Sequence, residues 1–102
     1  GWKADATMIE PQAGEDAFVA QFRQALRNVV DVVKTAGGSA DDVMSLRLYV
    51  TDKARYQATT RELGRAYREL FGRHYPAMAL IVVAGLLEDG ALVEIEAIAA
   101  LP

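Results

Sequence analysis

Apolar positions recur along this chain with two periods, and the changes of period mark its elements. From Asp16 onward Phe18, Phe22, Leu26, Val29, Val33 and Ala36 follow one another at spacings of three and four, which predicts an amphipathic helix. Glu15 and Asp16 suit its N-terminus, and Gly37-Gly38 suits its end. Between Val43 and Thr51 the period falls to two. Met44, Leu46, Leu48 and Val50 alternate with Ser45, Arg47, Tyr49 and Thr51, as in a half-buried strand. Asp52 then offers an N-cap, and Tyr56, Leu63, Tyr67, Leu70 and Phe71 form the stripe of a second helix. Gly72 stops that helix and Pro76 prevents its restart. Two apolar runs, 75–86 and 93–99, flank Glu88-Asp89-Gly90 and predict a terminal β-hairpin. Residues 1–15, punctuated by Pro11 and Gly14, show no clear period and read mostly as loop.

The predicted order is helix, strand, helix, strand, strand. Two helices with one apolar stripe each cover one face of a sheet. In the last strand Val93, Ile95, Ala97 and Ala99 point one way, and Leu92, Glu94, Glu96 and Ile98 the other. Leu80 and Val82 oppose Ile81 and Val83 in the same manner. One face goes beneath the helices. The other keeps apolar residues that nothing in the chain covers, so self-association is expected. The two carboxylates on this otherwise apolar strand single out Glu94 and Glu96, because a buried charge is expensive unless it is paired or used.

Composition narrows the function classes. The 102 residues fit one domain, and with 52% of them apolar a modest core is possible. There is no cysteine, so neither a disulfide nor a thiol nucleophile is available. No apolar run is long enough to span a membrane and no secretory signal is visible, so a cytoplasmic location is expected. The chain begins at Gly1, from which we expect that residues upstream have been removed. A net charge of −3 speaks against nucleic acid as a partner. Arg61, Arg65 and Arg68 form a helical stripe, but Glu62 and Glu69 interrupt it, and it reads as a solvated face. His74, the only histidine, sits where positive charge at a helix end is favourable. Glu94 and Glu96 have no second ligand cluster, so no metal is expected; no glycine-rich nucleotide motif occurs, and no cofactor is expected.

Several segments, in order and spacing, resemble the RidA family (YjgF-like imine deaminases, some labelled endoribonuclease L-PSP). They are Gln24-Ala25-Leu26-Arg27-Asn28-Val29, Ala36-Gly37-Gly38, Asp41-Asp42-Val43, Tyr49-Val50-Thr51-Asp52, Tyr67-Arg68-Glu69-Leu70-Phe71, Tyr75-Pro76-Ala77 and Glu94-Ile95-Glu96-Ala97-Ile98-Ala99. The resemblance implies a chorismate-mutase-like α+β fold, with two helices on one face of a mixed sheet. It implies a homotrimer with a central barrel and clefts between subunits, where a reactive imine or enamine is hydrolysed to a keto acid and ammonia. It makes residues 1–102 a single RidA-like domain lacking the family's N-terminal strand pair. Glu94 carries over as the catalytic carboxylate that orients or activates water, and Met78, Leu80 and Tyr75 as substrate-binding positions. The family pattern has an arginine directly after Pro-Ala to grip the substrate carboxylate; this chain has Met78, and a thioether cannot replace a bidentate guanidinium.

Each position also has a plainer reading. Glu94 and Glu96 could serve as strand carboxylates hydrogen-bonded across the assembly, Tyr75 and Tyr49 as core or interface residues, and Met78 as packing. Two function classes follow: a deaminase with an atypical substrate, or a non-catalytic metabolite-binding or regulatory trimer. RNA cleavage is the weaker option, since no basic, aromatic-lined groove is apparent.

Overall fold

The computed structural model describes residues 15–102. Apart from Glu15, the loop expected over residues 1–15 lies outside the described residues, as does the question of an N-terminal strand pair. Helix α1 spans Ala17–Thr35, and the carboxylate of Asp16 caps it by accepting the Phe18 N–H at 2.7 Å. Gly37 reverses the chain with φ of 97°, a conformation that side chains with a Cβ rarely adopt. Strand β1 (Val43–Val50) follows a single 3₁₀ turn. The expected second helix is two helices, α2 (Lys53–Ala58) and α3 (Thr60–Phe71). Asp52 caps the first, accepting from the Arg55 N–H at 3.0 Å. The break falls at Thr59, whose hydroxyl donates to the Arg55 carbonyl at 2.9 Å; a threonine hydroxyl that bonds the backbone in this way competes with helix propagation. Gly72, with φ of 59°, ends α3, and strands β2 (Ala77–Val82) and β3 (Val93–Ala99) complete the order.

The two predicted helical segments lie on one face of a mixed sheet, three-stranded among the described residues, as expected of the α+β fold. Phe18, Phe22, Leu26 and Val33 from α1 and Leu63, Tyr67 and Phe71 from α3 pack over Leu46, Leu48, Val50 and Val93. Burying such side chains stabilises by roughly 1.5–3 kcal/mol each, which makes this layer the source of the domain's cohesion.

Two expectations fail. First, β2 and β3 do not form a hairpin: the strand order is β2-β1-β3, with β1 parallel to β2 and antiparallel to β3. The segment between them straddles the end of β1. Val83 N–H donates to the Val50 carbonyl at 2.9 Å and Thr51 N–H to the Leu92 carbonyl at 3.2 Å. The turn at Glu88-Asp89-Gly90 does form, with Ala91 N–H on the Glu88 carbonyl, but it belongs to a wider crossing. Gln21, 4% exposed, anchors that crossing. Its Nε2 donates to the Gly90 carbonyl at 3.0 Å and its Oε1 accepts from the Leu92 N–H at 2.7 Å. Second, Met44 does not join the buried face of β1. The pairing with β3 shifts register between Val43 and Ser45, so Val43 enters the core at 1% exposure and Met44 turns outward at 59%.

Candidate functional site

Strand register decides where each candidate side chain lies. Glu94 pairs with Tyr49 and Glu96 with Arg47, on the side of the sheet that the helices leave open. Met78 and Leu80 pair in parallel with Leu46 and Leu48, whose side chains point beneath the helices. The four predicted site residues therefore divide. Glu94 stands on the open face of one outer strand, while Met78 and Leu80 lie on the helix-facing side of the other, with β1 between. Within one chain the structure does not bring Glu94 together with Met78, Leu80 or Tyr75.

It does bring Met78 and Tyr75 together. They line a cavity of about 240 Å³ between α2, α3 and β2, walled also by Phe22, Tyr56, Leu63 and Tyr67; Leu80 does not line it. Tyr75 stacks on Tyr67 with centroids 5.3 Å apart, and Tyr67 stacks on Phe71 at 4.9 Å. The Tyr67 hydroxyl donates to the His74 carbonyl at 2.5 Å; burial, and then the neighbouring Tyr75, push its phenol above the usual tyrosine range. Tyr75 itself stays 66% exposed, so in this chain it is an open wall and not part of the core. His74 Nε2 lies 2.7 Å from the Val43 carbonyl. A carbonyl only accepts, so this nitrogen carries a hydrogen. The histidine thus ties the approach to β2 onto the start of β1, a more specific role than charge at a helix end.

Glu94 and Glu96 are both exposed in the single chain, on the sheet face that the helices were expected to leave uncovered. They differ in partners. Glu96 faces the Arg47 guanidinium at 3.6 Å, with both side chains more than half exposed, a pairing worth at most about 1 kcal/mol. The Glu94 side chain makes no hydrogen bond or ion pair among the described residues. It borders a larger groove, about 550 Å³, between α1, the crossing segment and β3, with Val29, Val32, Leu87 and Ile95 in its walls.

Two features escaped the sequence reading. The groove beside Glu94 is signalled by Val32, an apolar residue off the main stripe of α1 and 69% exposed. Arg68, read as part of a solvated stripe, lines the Met78 cavity; its signal is Gly64, one helical turn earlier. Among the described residues no helix is long and apolar enough to cross a membrane.

Comparison with known proteins agrees with this architecture. The family model described as endoribonuclease L-PSP matches residues 6–101. A RutC family protein of Haemophilus influenzae is 37% identical over 93 residues, covering 89% of this chain and 71% of its own length. A crystal structure of a YjgF/YER057c/UK114 family member from Mycobacterium tuberculosis superposes with a TM-score of 0.68 at 36% identity, covering 90% of this chain and 73% of that one. A Rid family protein of unknown function from Yersinia pestis gives 0.76 at 33% identity, covering 98% and 71%.

Proposed function

We propose that this chain, which belongs to the endoribonuclease L-PSP family, also called RidA or YjgF, assembles as a homotrimer and hydrolyses an imine or enamine in a cleft at each subunit interface. One observation carries the reading: the unpaired carboxylate of Glu94 and the Met78–Tyr75 cavity sit at opposite edges and on opposite faces of one sheet. They complete each other when the open face of one copy meets the β2 edge of the next.

Hydrolysis of a C=N bond adds water to the carbon, moves a proton to the nitrogen and expels ammonia from the resulting carbinolamine. Glu94, lacking a partner that would hold it in one state, takes the proton from water and returns it to the departing nitrogen. In the cleft the same carboxylate acts as general base in the first transfer and as general acid in the second. Met78 offers no cation at the strand wall, so an imine bearing its carboxylate on the reacting carbon is a poor substrate. A cysteine-free chain has no need of an oxidising compartment, and we place it in the cytoplasm.

Met78 also favours a second reading, a metabolite-binding or regulatory trimer that keeps the cavity without the chemistry. RNA cleavage fits the net charge of −3 less well. The two main readings separate on Glu94→Gln. For the enzyme this variant keeps the assembly and lowers imine turnover by about 100-fold or more, as loss of a general acid–base does. Turnover equal to the parent's removes Glu94 from the chemistry, and no turnover in the parent on any imine leaves the binding protein.

A further inference from the structure

The Met78 cavity is aromatic and apolar around most of its wall, yet one cation lines it. Arg68 comes from α3, across the cavity from the strand position where the family's arginine is replaced. Its Nη1 lies 3.2 Å from where a Cβ on residue 64 would sit, so the guanidinium is folded back along the helix over Gly64. A glycine in a helix interior is unfavourable relative to alanine, and Gly64 has no positive φ to require it. What Gly64 provides is room for this side chain. Among the described residues Arg68 also lacks an acidic partner. Its neighbours three and four residues away are Arg65, Gly64, Phe71 and Gly72, and no ion pair engages it among the described residues. By contrast Arg23, which also lies along this pair of helices, is held by Glu15 and Glu69.

We infer that Arg68 is the anion anchor of this cavity, and that the ligand is a small carboxylate whose charged end meets the helical wall while its flat apolar body lies against Tyr75, Tyr67 and Met78. In the single chain the cavity measures about 240 Å³ and is open on the side of Tyr75. An unpaired guanidinium presents the fork that matches a carboxylate, and the exposed ring of Tyr75 supplies a stacking surface. This rests on reading the cavity as the substrate half-site, and it refines the meaning of Met78. The charge that recognises substrate has moved from the strand wall to the helix wall. A substrate so held carries its carboxylate away from the carbon beside Met78.

Phenylacetate and its neutral isostere phenylacetamide test the anchor directly, titrated into the intact protein and followed by amide chemical shifts. The acid binds roughly tenfold or more tightly than the amide, the scale of one charge-assisted hydrogen bond. Arg68→Met brings the acid down to the amide's level, and Arg68→Lys retains part of the preference, having charge without the fork. Gly64→Ala raises the thermal midpoint, because alanine is the better helix former, while weakening phenylacetate by displacing the guanidinium. Equal affinity for acid and amide overturns the proposal, as does a preference that survives Arg68→Met or the absence of saturable binding at millimolar phenylacetate. The readout is binding, so the two ideas separate. Glu94-dependent turnover without an Arg68-dependent preference removes the anchor alone; the preference without turnover removes the deaminase alone.

Discussion

Strands β1 and β2 lie side by side in parallel, and both are rich in aliphatic residues, but they end in opposite environments. In β1, Leu46, Leu48 and Val50 are at most 1% exposed, and polar residues alternate with them. In β2 the sequence Ala-Met-Ala-Leu-Ile-Val contains no polar residue, and all six positions are exposed. Alternation in β1 records one covered face and one open face within the chain. A strand apolar on both sides is the pattern of one covered on both sides. Among the described residues β2 has neither a full cover nor a partner for its outer edge. An exposed apolar edge is an aggregation hazard unless something occupies it. The other outer strand, β3, carries Glu94 and Glu96 on its open face. Hydrophobic pattern and burial agree in β1 and disagree in β2, and we read the disagreement as the surface where another copy fits.

Matched truncations in the two strands put the contrast to its strongest test. Leu48→Ala opens a cavity in the layer beneath the helices and lowers stability by about 2–5 kcal/mol. Leu80→Ala, at a site 38% exposed, costs about 1 kcal/mol or less in a dilute single chain but weakens assembly. Urea denaturation read alongside sedimentation separates the effects. Equal losses of stability from both changes would mean that β2 is as fully buried by its own chain as β1.

A smaller effect is expected at the segment joining β2 to β3. Gln21→Leu strands the Gly90 carbonyl and the Leu92 N–H, a loss of roughly 1–3 kcal/mol. Hydrogen exchange at Leu92 then accelerates more than at the β1 amides, since the crossing loosens while the central strand stays paired. Uniform acceleration throughout would show that Gln21 supports the whole core instead of this segment.

The legible features of this fold are local. Asp16, Asp52 and Gly72 act through hydrogen bonds and dihedral angles within a few residues, and the elements they bound stand where the sequence places them. The strand order was not legible, because Glu88-Asp89-Gly90 states only that the chain turns. The crossing is fastened by Gln21, about seventy residues away in the chain. Met44 faces outward because the pairing with β3 shifts register between Val43 and Ser45, which alternation cannot reveal. Glu94 stood out as a charge in an apolar strand, but its separation from Met78 depends on register in two pairings. Arg68 looked like one arginine of three until the geometry set it over Gly64.

Sedimentation equilibrium of the intact protein at micromolar concentration tests the central claim, that other copies cover β2 and the open face. We expect a particle of three chain masses, each 11.1 kDa. A stable species of one chain mass across that range would contradict it, leaving Glu94 and the Met78 cavity with no means of meeting.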